Sequence, residues 1–203
     1  MKSKHKDYFS KKAEGYDEEK SITQNVGAIG QLILKEISFT DKMHIMDFGS
    51  GTGLLLSQIA PFVNEITAVD ISESMIGILE SKLESIDCNV QILKLDLTKK
   101  TLDTKFDVII SSMTIHHIEN VQEIFNKLYS LLNHNGTIAI ADLDKEDGSF
   151  HSEDTGFFHN GFNRNEFQQI AKNAGFKNLK IQTASIINKP TGQYSVFLLT
   201  GKK

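Results

Sequence analysis

Three carboxylates and one run of glycines stand at intervals that fit a ligand site. Asp47-Phe48-Gly49-Ser50-Gly51-Thr52-Gly53 is a glycine loop. Glycines permit a tight turn and let a ligand approach the backbone. A helix that starts after such a loop offers its N-terminus to a negative group. The dinucleotide pattern G-x-G-x-x-G would need glycine at Leu54, and here the third glycine, Gly53, comes one residue early. Asp47 at the loop entrance repels a pyrophosphate and welcomes a cationic amino group. Asp70, in Val69-Asp70-Ile71-Ser72, can accept hydrogen bonds from both hydroxyls of a ribose; the plainer alternative is a helix cap. Asp96, in Leu95-Asp96-Leu97, suits the exocyclic amine of adenine, with the Leu97 N–H for a ring nitrogen. The plainer alternative there is a solvated loop acid.

Elements must hold these loops in place. The apolar run at 45–48 predicts a strand that ends in the glycine loop, and 54–62 reads as a helix with Pro61 near its end. Residues 65–69 predict a second strand. Ser72 then caps a helix with Met75, Ile76, Leu79 and Leu83 on one face. Residues 90–95, 106–111 and 137–141 predict three more strands. A helix over 121–132 precedes the last of them and exits through an Asn135-Gly136 turn. Strands alternating with helices predict parallel βαβ units and a sheet covered on both faces. Right-handed crossovers make it doubly wound. After a helix at 164–173, closed by Gly175, two strands (178–187 and 193–200) follow with no helix between them, so they pair antiparallel.

The predicted fold is therefore α/β: a doubly wound, mostly parallel seven-stranded sheet with a C-terminal antiparallel hairpin. Ile22, Val26, Ile29, Leu32 and Ile33 recur at helical spacing and predict an N-terminal helical cap. The whole chain reads as one domain, with 1–40 as arm or lid and 41–203 as core. Ligands of such sheets bind beyond the carboxyl ends of the strands.

Composition narrows the partners. The 203 residues carry a formal net charge of −4, which gives no electrostatic reason to seek nucleic acid or an anionic membrane. Cys88 is the one cysteine, so no disulfide framework or multi-cysteine zinc site forms within one chain. It reads as incidental rather than nucleophilic. Arg164 is the only arginine, so an arginine clamp on a phosphate or carboxylate has only that residue to use. The polar start Met1-Lys2-Ser3-Lys4-His5-Lys6-Asp7 lacks the apolar core of a secretory signal. No run approaches the roughly 18 apolar residues that span a bilayer. The expectation is a cytoplasmic protein with a small-molecule substrate and neither nucleic acid nor membrane as partner.

The order Asp47…Gly49-x-Gly51-x-Gly53, Asp70, Asp96 and Ser111-Ser112-Met113-Thr114-Ile115-His116-His117-Ile118 resembles the class I S-adenosylmethionine-dependent methyltransferases. The resemblance runs from about residue 8 to the end, terminal hairpin included. It implies a Rossmann-like sheet, S-adenosyl-L-methionine as cofactor and S-adenosyl-L-homocysteine as product. It implies that Asp47, Gly49, Ser50, Gly51 and Gly53 hold the methionine part and Asp70 the ribose. Ile71 and Met75 are further cofactor contacts, Asp96 and Leu97 hold the adenine, and Ser111 lies close to the transferable methyl. Tyr8-Phe9-Ser10…Ala13…Tyr16-Asp17 resembles the segment that folds over the cofactor in small-molecule members, with Tyr16 among the contacts. An amphipathic packing arm is the alternative. No Asn/Asp-Pro-Pro-Tyr motif follows the fourth strand, which disfavours adenine and glutamine-amide acceptors.

A sulfonium makes its methyl an electrophile, so such an enzyme mainly aligns, desolvates and closes. A base is needed only where the acceptor must lose a proton. Imidazole titrates near neutrality, so His116 and His117 are the candidate catalytic residues; capping or packing at a helix start is their alternative. Residues 142–151, continuing through Asp154 to 157–162, have the length and position of an acceptor-site loop, with 143–162 as its span. Its His151 and His159 are candidate acceptor contacts. Its carboxylates and histidines also admit a divalent metal or a merely solvated acidic loop. Metal-dependent catechol-type members place an Asp where this chain has Ser111, so no metal is expected. The reading is a methyltransferase (EC 2.1.1.-) acting on a small-molecule acceptor. The rivals are a non-catalytic cofactor-binding or partner subunit of the same fold, and a nicotinamide-dependent oxidoreductase, which Asp47 and the early third glycine oppose.

Overall fold

In β1 (His44–Phe48), Ile45 and Met46 point to opposite faces, and the whole sheet is built on that alternation. The computed structural model describes residues 7–151 and 155–203; Asp154, read above as part of the acceptor loop, lies outside them. The other strands are β2 (Glu65–Asp70), β3 (Asn89–Lys94), β4 (Phe106–Ser112), β5 (Leu132–Leu143), β6 (Lys177–Lys189) and β7 (Gly192–Lys202). They lie in the order β3-β2-β1-β4-β5-β7-β6. The pairs among β1 to β5 are parallel, and β7 runs antiparallel to both β5 and β6. The chain order reverses between β1 and β4, and the crevice opens there.

Ile45, Ile66, Ala68, Val108 and Ile110 face one side. They pack with apolar residues of α1 (Lys20–Glu36) and α2 (Leu54–Ile59), and with Leu79 of α3 (Glu73–Lys82). Met46, Phe48, Val69, Ile109 and Ile138 face the other side, against α4 (Val121–Leu131) and α5 (Arg164–Asn173). There Phe125, Phe167 and Phe197 pack ring edge to ring face, each pair contributing roughly 0.5–1.5 kcal/mol beyond its area burial. The strands buried on both faces explain the unbroken apolar runs of the sequence.

The structure shifts several expected boundaries. The helix after the glycine loop ends at Ile59 and tightens to a 3-10 turn over Ala60–Phe62, because Pro61 has no N–H to continue the ladder. The Asn135-Gly136 pair lies inside β5 rather than before it; Asn135 takes a left-handed φ of 64°, and the register with β4 shifts between Phe106 and Val108. β5 also runs on to Leu143, paired with Val196 of β7. Asp142 therefore belongs to a buried strand and not to the loop that follows.

Arg164 is spent within the fold. Its Nε donates to Asp144 Oδ1 at 2.7 Å and its Nη2 to Asp144 Oδ2 at 2.5 Å, tying α5 to the segment after β5. Burial, with the Asp87 charge, pushes the half-buried Cys88 thiol up to about 11, which leaves it unreactive at neutral pH. Among the described residues no helix is long and apolar enough to cross a membrane.

Candidate functional site

β1 ends at Phe48, and the loop turns back over the end of β2. The Gly49 and Ser50 N–H groups both donate to the Val69 carbonyl, at 2.8 and 3.2 Å. Gly49 and Gly51 have φ of +73° and +54°, left-handed values that favour glycine. A Cβ on Gly49 would sit 2.2 Å from Thr114 Oγ1, whereas one on Gly51 would meet nothing within 4 Å. Gly51 thus presents bare backbone to open space. Its N–H donates to Asp70 Oδ2 at 2.7 Å, and the Ser72 N–H donates to Asp70 Oδ1 at 2.8 Å. Those bonds orient the carboxylate and leave further lone pairs on both oxygens. Burial nonetheless raises the Asp70 pKa.

Two cavities meet at this loop. The smaller, of ≈ 140 Å³, is bounded by Gly49, Gly51, Asp70, Ile71, Met75, Asp96 and Leu97, with Met113 and Thr114 on the β4 side. The larger, of ≈ 450 Å³, is bounded by Asp47, Ser50, Gly51, His116, His117 and His151, with Ile22 and Val26 of α1. Phe9, Tyr16, Gly49, Gly51, Ser112, Met113 and His117 line both, so the two volumes adjoin.

Asp47 is 1% exposed, and its Oδ2 has no hydrogen-bond partner among the described residues. Burial and the nearby Asp70 charge push its carboxyl up to about 8, against a hydrogen bond from the Leu56 backbone. A buried, orphaned carboxylate oxygen on a cavity wall is a place for a cationic amine. Ser50 Oγ, also buried, has no partner either. Ile71 is 60% exposed at the edge of the smaller cavity, where it presents an apolar surface. Asp96 holds Lys99 at 2.8 Å and accepts from the Thr98 N–H at 3.0 Å. Burial would raise its pKa, but those partners outweigh burial and hold it below the usual carboxylate range. An amine, hydroxyl pair and flat ring, the parts that the sequence assigned to S-adenosylmethionine, therefore find residues that fit them.

Two expected cofactor contacts lie off the cavities. Ser111 is fully buried and its hydroxyl donates to the Phe48 carbonyl at 2.6 Å. The β1–β4 ladder stops at Asp47 and Ile110, which leaves that carbonyl for Ser111; the next residue, Ser112, lines the cavities instead. Gly53 lines neither cavity, and a Cβ there would meet Leu79 Cδ1 at 2.5 Å, so it serves the packing of α3.

The histidines separate by environment. His116 is buried with Asp142: its Nδ1 lies 2.7 Å from Asp142 Oδ1, and its backbone N–H donates to Asp142 Oδ2 at 3.1 Å. The Leu143 N–H also donates to Asp142 Oδ1, at 2.7 Å. Burial opposes ionisation of Asp142, but His116 and these donors outweigh it and hold its pKa low. An ionised carboxylate only accepts, so His116 Nδ1 carries a proton. His117 is pushed down to about 3, first by burial and then by its neighbour His116. His151 is pushed down to about 4 by burial, then by His116 and Lys189; its ring stacks on Phe157 at 4.3 Å. His159 is absent from both cavity walls. The segment containing it returns to β5, its own N–H and that of Phe158 donate to the His116 carbonyl, and its Nε2 lies 2.9 Å from the Ile118 carbonyl. Among the described residues no group of three or more His, Cys, Asp or Glu can hold a metal ion.

Residues 7–19 pack along the glycine loop and α3. Asp7 accepts from Ser72 Oγ at 2.9 Å and from the Ser74 N–H at 3.0 Å, at the start of α3. Asp17 accepts from Thr52 Oγ1 at 2.6 Å and pairs with Lys82 at 2.5 Å. Between them Phe9 lies against His117, and Tyr16, whose hydroxyl burial pushes up to about 12, lines both cavities. Sequence reasoning missed Asp142 as the partner of His116, and it missed Ser112 and Lys189 on the walls. An acid at the fifth strand end was the available signal for Asp142; nothing local marks Lys189.

A family described as methyltransferase domain matches residues 23–181. An uncharacterized methyltransferase of Schizosaccharomyces pombe is 31% identical over 156 residues, 68% of this chain and 55% of that protein. A malonyl-[acyl-carrier protein] O-methyltransferase of Bacillus cereus is 30% identical over 141 residues, 68% of this chain and 52% of that protein. The chain thus spans about half the length of these curated relatives. Among solved structures, phosphoethanolamine N-methyltransferase 2 of Haemonchus contortus, in complex with phosphomonomethylethanolamine and S-adenosylhomocysteine, aligns with a TM-score of 0.73 at 16% identity. That alignment covers 97% of this chain and 59% of that one, and it speaks to the fold.

Proposed function

The chain belongs to the methyltransferase domain family and has the class I S-adenosylmethionine-dependent fold, and from that premise we propose that it transfers a methyl group from S-adenosylmethionine to a small-molecule acceptor. One observation carries the reading: carboxylates at the ends of three neighbouring strands, Asp47, Asp70 and Asp96, border two adjoining cavities around the glycine loop. In this reading Asp47 takes the amino group of the methionine part and Asp70 the ribose hydroxyls. Asp96 and Leu97 take the adenine edge, between Ile71 and Met75. Gly49 and Gly51 let the ligand lie against the backbone.

The cofactor supplies an electrophilic methyl group when bound. The chain's own residues align the acceptor, exclude water and remove a proton where one must leave. Phe9 and Tyr16 cover the site. His116 Nε2 takes the proton, and Asp142 fixes the tautomer that makes this possible. His117, neutral and buried, walls the cavity.

Calorimetric titration with S-adenosylhomocysteine, with NADH as control, tests the reading. Saturable binding of the sulfur ligand is expected, and Asp70→Ala, which removes charge-assisted bonds, lowers the affinity at least about tenfold. A folded protein that ignores the sulfur ligand, or prefers NADH, overturns it.

Asp47 adds a pH signature. Its folded pKa, about 8, lies above the ordinary carboxylate value, so the free site is mostly protonated there at pH 7. An ammonium group favours the ionised form, so binding expels a proton, and affinity rises with pH until it levels off near 8. Titrations in two buffers of different ionisation enthalpy read the proton directly. Asp47→Asn abolishes that proton release and weakens binding about 10–100-fold. The same sign makes Asp47 a stability liability: its contribution falls as pH rises from about 4 through 8 in the ligand-free protein.

A further inference from the structure

Among the described residues, Lys11, Lys12 and Lys189 line the larger cavity, with Glu19 and Asp47 as the carboxylates on its wall. Lys189 ends β6 at the tip of the hairpin. Its Nζ stands 3.7 Å from the centre of the Phe150 ring and donates to the Phe150 carbonyl at 2.8 Å. Neither partner bears a negative charge, and among the described residues no carboxylate oxygen lies within 4.0 Å of this ammonium. Burial lowers its pKa, with Glu19 acting in the opposite sense and Lys12 adding to the fall.

His151 shares this end of the cavity. Its Nε2 is buried and has no hydrogen-bond partner among the described residues. Its ring is clamped against Phe157, and the Lys189 and Lys12 charges both act on it. Lys189, partly desolvated, and His151, with an unpartnered ring nitrogen, therefore border one volume. Buried polar groups in that state want a complementary ligand.

We propose that the acceptor is a small anion, a carboxylate or a phosphate monoester, whose charged group docks on Lys189 and His151 while its methyl-accepting atom lies toward His116. The assignment rests on the methyltransferase reading of the site. A neutral or cationic acceptor would leave the partly desolvated lysine with no carboxylate in contact among the described residues. An ammonium acts as a point charge and takes either anion, so the experiment distinguishes the two.

Protein loaded with S-adenosylhomocysteine is titrated with benzoate, phenyl phosphate, benzamide and benzylamine by ligand-observed NMR. One of the two anions binds at least about tenfold more tightly than benzamide, and benzylamine binds worst. The tighter anion names the acceptor's charged group. Lys189→Gln lowers that anion's affinity about tenfold or more, and Lys189→Arg keeps it within about threefold. Anions that bind no better than benzamide, or an affinity indifferent to Lys189→Gln, overturn the assignment. The wild-type panel decides by itself should the glutamine variant not fold. S-adenosylhomocysteine binding is read separately: its loss in a folded protein removes the methyltransferase reading, whereas its retention with no preference for anions removes only the acceptor class.

Discussion

His116→Gln lowers kcat for a hydroxyl acceptor by about 10²–10⁴-fold, while the Kd for S-adenosylhomocysteine stays within about threefold. The size follows from the Asp142 pair. The carboxylate lies fully buried, with an N–H donor on each oxygen, and it holds the Nδ1 proton in place. Asp142→Asn removes the charge that fixes the ring and produces a loss of the same order. An acceptor whose attacking atom is already ionised at the assay pH escapes both losses, because it has no proton to give. Equal losses with the ionised and un-ionised acceptors would return the pair to a purely architectural role. His117→Gln separates the neighbours further. Its ring remains neutral until about pH 3 and packs against Phe9, so its replacement loosens closure without reshaping the pH–rate profile.

Gly49→Ala is expected to damage both the fold and cofactor binding. The left-handed φ of +73° costs an L-residue about 1–2 kcal/mol. The new Cβ falls 2.2 Å from Thr114 Oγ1 and 2.4 Å from Thr114 Cγ2, an overlap relieved by moving the turn that carries His116, at a further ~1–3 kcal/mol. At about 2–4 °C per kcal/mol for a chain of this size, the Tm drops by roughly 5–15 °C. Affinity for S-adenosylhomocysteine falls at least about tenfold. Gly51→Ala is the contrast. Its Cβ meets no protein atom within 4 Å, so stability loses only the backbone strain, while the methyl intrudes where the ligand would lie. Thermal melts and titrations of the two variants should diverge accordingly; a Gly49→Ala protein that melts like the wild type refutes the clash.

The parts legible in the sequence were those written locally. A doubly buried strand is an apolar run, and β1, β2 and β4 each begin within one residue of where such a run does. Glycines 49 and 51 and the Ser72 cap carry their conformations in their own residue types, and Met75 N–H does donate to Ser72 Oγ at 3.2 Å. What was not legible depended on which neighbour a strand end meets. Ser111 and Ser112 are identical in type. Only the point where the β1–β4 ladder stops decides which of them bonds to Phe48 and which reaches the cavity. Asp142 looked like the first acid of a solvated loop, because the pairing with β7 that carries β5 on to Leu143 comes from residues more than fifty positions away. His159 sits in a glycine-flanked segment whose return path is set by backbone bonds to His116 and Leu143. Lys189 reaches the site from the last hairpin, in a stretch with no motif of its own.

The origin of the two halves of the site matters beyond any single ligand. The half proposed for the cofactor comes from strand ends at the centre of the sheet, beside the layers buried on its two faces. The half proposed for the acceptor is lined by the arm around Phe9 and Lys12, the segment around His151 and the hairpin tip at Lys189, all at the rim. Rim residues can be exchanged with little loss of core burial. Under the proposed function the molecule therefore separates inheritance from invention: its trunk holds the part common to every turnover, while its margin can change acceptor without refolding the whole.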